Sequence, residues 1–114
     1  MKKVFVEKII NMLSPILPDN FSILVEANLV MYCGDQFLGE QGYSFLPDDC
    51  PPEDIENLLI QIQHNVIYCL KEHWPTLDGE HVDFIVERRG VLYSVSFISA
   101  TFKMKTLESF TADT

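Results

Sequence analysis

The stretch "HNVIYCLKEHW", residues 64–74, gathers two histidines, a cysteine and the only tryptophan of the chain. Cys69 and His73 stand four apart, a spacing that puts a thiol and an imidazole on one face of a helix. Such a pair suits a nucleophile beside its base, or half of a metal clamp. The helical phase argues against both. At about 100° per residue from Ile55, the residues Leu58, Leu59, Ile62, Val66, Cys69, Leu70 and His73 share one apolar stripe, and His64 falls on the opposite side. Cys69 is therefore expected to be a buried, inert thiol. Two ligands are too few for a metal, and His81 would add a third only if the following loop folded back. The chain holds no GxSxG, no HExxH and no phosphate-binding glycine loop. No catalytic residue, metal site or cofactor is expected, and the chain does not read as an enzyme.

The helix that carries this stretch is expected over residues 52–73. Pro52 suits its first turn, Glu53 and Asp54 suit the positive end of its dipole, and Pro75 lies just beyond its end. Beside the core stripe, Ile60, Ile67 and Trp74 repeat every seven residues and widen the apolar arc to about 200°, where a surface helix needs ~100°. One explanation is cover on two sides, by a sheet and by the first helix. The other is an exposed flank used for association, with Trp74 as its anchor.

A first helix is expected over residues 3–14, with Phe5, Ile9, Met12, Leu13 and Ile16 in helical period. In "FSILVEANLVMYC" the odd-numbered residues from Phe21 to Cys33 are all apolar, which predicts one long strand. "QFLGEQGYSFLP" reads as its return strand, with a bulge or bend at Gly39 and Gly42. "HVDFIVERRGVLYSVSFISATFKMK" reads as a second hairpin turning at Arg89-Gly90. Its apolar parity changes near Phe97–Ser99, which predicts a bulge or break there. The fold class is α+β in the order α-β-β-α-β-β: an antiparallel sheet of about four strands with two helices on one face. Residues 1–105 are expected to form a single domain and residues 106–114 a frayed tail.

The net charge of −9 is unevenly distributed. Residues 34–80 carry ten acids and one base, Lys71, while the rest of the chain is balanced, so the middle of the sequence holds the whole net charge. Such a surface repels nucleic acid and anionic lipid and steers basic proteins inward. Arg88 and Arg89 are the only adjacent arginines, too few to hold a phosphate backbone. The candidate partner-binding residues are Asp48, Asp49, Glu53, Asp54 and Glu56, with Trp74 as the apolar anchor. Helix capping accounts for Glu53 and Asp54 but not for Asp48 and Asp49. Three cysteines without paired spacing suit reduced thiols, and the interrupted apolar run of "MKKVFVEKII" suits an amphipathic helix rather than a signal peptide, so a cytoplasmic location is expected.

Several segments together resemble a known family. "LPDNF" follows the first helix, "LVEANLV" lies in the next strand, the acidic helix closes in "KEHW", and the last hairpin is "VDFIVERRGVLYSVSF". In order and spacing, over residues 1 to about 102, the chain resembles the YezG-like immunity proteins of bacterial polymorphic toxins. That resemblance implies a cytosolic antitoxin that binds and neutralises a toxin domain, commonly a nuclease. Family members carry acids in and after the final strand, where this chain has the basic "FISATFKMK", so no binding residue is carried over. A secretion-chaperone-like module is the alternative: small, acidic, α+β and dimeric through a helix. An immunity protein would be a monomer or weak dimer.

Overall fold

The computed structural model describes residues 3–44, 46–47, 49–101 and 104–111; Asp48 lies outside them. Helix α1 spans Lys3–Leu13 and runs into a 3-10 turn, Ser14–Ile16. The strands β1 (Phe21–Val25), β2 (Asn28–Cys33) and β3 (Gln36–Gly42) follow, then helix α2 (Pro52–Leu70). Four more strands close the chain: β4 (Thr76–Leu77), β5 (Glu80–Arg89), β6 (Leu92–Ser99) and β7 (Met104–Thr111). The strands form two antiparallel sheets, β1-β2-β3 and β4-β5-β6-β7. The class is α+β as expected, but the single four-stranded sheet is replaced by two sheets.

Three features of the sequence hid the extra strands. The expected strand 21–33 is a hairpin that turns at Glu26-Ala27, closed by the Glu26 N–H donating to the Asn28 carbonyl at 3.0 Å. Its register pairs odd residues with odd residues, Phe21 with Cys33 and Ile23 with Met31. The apolar alternation therefore passes through the turn unbroken and mimics one strand. β4 has only two residues, too few to show a period. β7 occupies most of the tail expected to fray, because Phe110 is buried against Phe5 and Tyr93 with ring centroids 5.5 and 5.8 Å away.

The bulge expected at Gly39 is present: the β2–β3 register shifts between Met31–Gly39 and Tyr32–Phe37, leaving Leu38 as the extra residue. Near Phe97–Ser99 there is no bulge against β5; β6 stays in register to Ser99 and ends there. The parity changes because the strand stops. A register shift does occur on the other side of β6, at Val95/Ser96 against β7. The β5–β6 turn is centred one residue later than expected, on Gly90-Val91, with Gly90 at a φ of 61° that favours glycine.

α1 packs on β1 of the first sheet and β7 of the second, burying Phe5, Val6, Ile9, Ile10, Met12 and Leu13. α2 lies along β5. Here the helix closes an open sheet edge. The Glu56 carboxylate accepts the Val86 N–H at 3.0 Å, and the buried Gln63 amide donates to the Val82 and Trp74 carbonyls, each at 3.1 Å. Glu56 and Gln63 are two helical turns apart, so one flank of α2 runs antiparallel to β5.

α2 ends at Leu70, three residues before the expected stop, because Lys71 adopts the left-handed conformation (φ 61°) and its N–H returns to the Ile67 carbonyl at 2.7 Å. The chain then turns Trp74 into the core, where its indole N–H donates to the Ile16 carbonyl at 2.8 Å. Of the wide apolar arc, Ile67 and Trp74 are covered and Ile60 is 36% exposed at the margin.

Two substitutions test this account. Gln63→Leu leaves two carbonyls without their donor and should cost about 1–3 kcal/mol in urea unfolding. Phe110→Ala should cost about 3 kcal/mol; a loss near zero would mean that β7 is not packed.

Candidate protein-binding surface

The opening stretch does not assemble a reactive site. His73 lies beyond the helix end, so its spacing from Cys69 is not helical. The chain does fold back: the His73 and His81 rings are 4.9 Å apart, and His81 Nε2 is 3.5 Å from Asp83 Oδ1. Cys69 takes no part, because its sulfur is bonded to Cys33 across 36 residues of sequence. Among the described residues no group of three or more His, Cys, Asp or Glu could hold a metal ion.

The disulfide corrects the expectation of three reduced thiols and of a free Cys69. Cys33 at the end of β2 and Cys69 in the last turn of α2 are both half-buried rather than buried, with Cα atoms 5.6 Å apart. Closing a loop of this length contributes about 3–4 kcal/mol in the chain-entropy account. Only Cys50 is a free thiol, and it is buried.

The acidic candidates divide. Glu56 is half-buried and accepts the Val86 N–H, so it serves the fold. Trp74 is in the core. Asp49 and Glu53 are exposed and Asp54 is half-buried at the helix start. The loop that carries Asp49 is held from the β5–β6 hairpin. Arg88 Nη1 donates to the Asp49 carbonyl at 2.5 Å and to the Cys50 carbonyl at 3.4 Å, while its Nε donates to the Gly90 carbonyl at 2.7 Å. The Tyr93 hydroxyl donates to the Cys50 carbonyl at 2.7 Å, and the Arg88 guanidinium lies 5.3 Å from the Tyr93 ring centroid. Arg88 thus fixes the acidic loop through backbone oxygens and leaves the Asp49 carboxylate free of that contact.

Sequence reasoning missed a second feature next to these acids. The flank of α2 opposite β5 faces β3 across a groove. At one end a cleft of about 280 Å³ is lined by Gln41, Gly42, Asp54 and Leu58; at the other a cleft of about 380 Å³ is lined by Gln36, Phe37, His64 and Tyr68. Gln61 lines both. The readable signal was Asn57, Gln61 and Asn65, three amides at four-residue spacing on the wet side of the helix.

Burial pushes the Cys50 thiol above its ordinary 9.0, and the nearby Asp54 carboxylate pushes it further. Burial, and then the Cys50 charge, raises the Tyr93 hydroxyl above its ordinary 10.0. Both groups are held neutral by the fold, so their contribution is complete below the unfolded values and is lost as pH rises through the folded ones. The urea midpoint should hold steady to about pH 8 and fall above it, and Cys50→Ala should flatten the first part of that fall. A midpoint that rises with alkali would contradict the assignment.

In comparison with known proteins, the chain matches no family model, no curated protein and no solved structure.

Proposed function

We infer that the chain is a protein-binding inhibitor of the immunity type, which recognises the basic domain of a nuclease toxin through the acidic surface built around the start of α2. The observation that carries this reading is the segregation of charge: the whole net charge of −9 lies within residues 34–80. Asp49 and Glu53 are exposed within this segment, Asp54 stands at the helix start, and the loop before the helix is held in place by Arg88 and Tyr93. A nuclease site is basic because it binds phosphates, and carboxylates presented on a fixed loop can occupy it. The resemblance to YezG-like immunity proteins in segment order supports the same reading.

Among the described residues no helix is long and apolar enough to cross a membrane. The family resemblance implies the cytoplasm, whereas a Cys33–Cys69 bond persists best in an oxidising compartment. Charge recognition operates in either place, and the reduction potential of the pair, set against the poise of each compartment, shows in which of them the bond persists.

The test uses the product of the neighbouring reading frame as the partner. Its nuclease activity should be inhibited stoichiometrically, with an association rate that falls as salt rises, because steering is screened beyond about 8 Å at physiological ionic strength. Changing Asp49, Glu53 and Asp54 together to Asn, Gln and Asn should slow association about tenfold or more at low salt, while the stability in urea falls by no more than the roughly 1–2 kcal/mol that the two first-turn acids give the helix dipole. Glu56 is left intact because it holds Val86. An unchanged rate and salt slope would reduce the acidic surface to a solubility device.

A further inference from the structure

β3 is the outer strand of its sheet, and among the described residues no strand pairs with its second edge. The phase of the ladder shows which groups that edge presents. The Gly34 N–H donates to the Asn20 carbonyl at 2.6 Å and the Glu26 N–H to the Asn28 carbonyl, so even-numbered residues of β2 bond to β1 and odd-numbered ones to β3. Leu29 and Met31 therefore take Gln41 and Gly39, and the backbone groups of Glu40 and Gly42 point away from the sheet. The Gly42 carbonyl accepts the Gln41 side-chain amide at 3.3 Å, a contact that an incoming strand could displace.

We propose that the groove between the free edge of β3 and α2 is a strand-addition site that takes an extended, basic segment of a partner protein. The two clefts lie at the two ends of β3 and share Gln61 on the helix. Residues 36–42 of the strand and 54–68 of the helix each span about 20 Å, room for roughly six extended residues. An added strand satisfies its main chain on Glu40 and Gly42, while the amides of Asn57, Gln61 and Asn65 offer donors and acceptors from the helix side.

The lining sets the chemistry of the occupant. From residue 34 to residue 70 the chain has seven acids and no base, and one of these acids, Asp54, lines the cleft at the Gly42 end. At the other end Phe37 and Tyr68 are 54% and 59% exposed, with Lys71 Nζ 5.0 Å from the Tyr68 ring centroid. The segment that fits carries lysine or arginine toward Asp54 and an apolar side chain toward Phe37 and Tyr68. The inference rests on the reading of the chain as a binder of basic proteins, and it adds the mode of contact.

The test follows the backbone amide signals of the full isotope-labelled chain. The probes are two capped eight-residue peptides that place lysines at one end and phenylalanine and valine at the other, in opposite chain orders. Controls replace each lysine with glutamate, or methylate alternate backbone nitrogens. One of the lysine peptides should shift the signals of Phe37, Glu40, Gly42 and Gln61 with a Kd below about 1 mM. Both controls should bind at least tenfold more weakly. Glu40→Pro removes an N–H that the sheet does not use, which an edge strand tolerates, and should abolish binding; Asp54→Asn, which removes the carboxylate that lines the groove, should only weaken it. Shifts confined to Asp49 and Glu53 would overturn strand addition while leaving charge-driven binding in place. So would equal binding of the methylated peptide, or no shift with either order. Peptide binding as expected, together with failure to inhibit the neighbouring toxin product, would overturn the proposed function alone.

Discussion

A buried sheet edge must find a donor and an acceptor, and in this chain the edge of β5 beyond its short pairing with β4 is met by two side chains of a helix. Glu56 takes the Val86 N–H and Gln63 gives to the Val82 carbonyl. These contacts fix the rotation of α2 about its own axis. Once one flank is committed to β5, the core stripe from Ile55 to Val66 faces inward and the opposite flank, with Asn57, Gln61 and Asn65, is turned toward β3. The groove is a consequence of how the helix is held on its other side. Gln63 also reaches the Trp74 carbonyl, so the same residue sets where the chain turns after the helix.

The two sheets are joined at separate places. α1 touches β1 and β7, and the Phe5 ring meets Tyr93 and Phe110 at 5.3 and 5.5 Å, which ties the first helix to the last two strands. The Cys33–Cys69 bond ties the end of β2 to the last turn of α2. A helix braced by hydrogen bonds on one flank and by a covalent link near its end has little freedom to rotate or slide. That rigidity is what a preorganised binding surface needs, because disorder in the free state must be removed on association.

Periodic elements were legible in the sequence: both helices, the last hairpin and the bulge in β3 follow from apolar spacing and glycine placement. The rest was lost for identifiable reasons. The turn at Glu26-Ala27 preserves parity and so leaves no trace in the alternation. The helix stop at Lys71 depends on a left-handed residue that no glycine announced. The tail reads as polar apart from Leu107 and Phe110, yet both pack on the core and residues 106–111 lie in β7. Of the candidate site, the charge segregation could be read directly. The division of labour inside it could not, because Glu53 and Glu56 look alike in sequence and only the position of β5 separates an exposed acid from a structural one.

The Arg88 contact with the acidic loop has a consequence for sequence variation. The guanidinium grips the carbonyls of Asp49 and Cys50, groups that every residue type supplies. Side chains of the loop can therefore be exchanged while its course stays anchored, so conformation and displayed charge are set by different residues at this site.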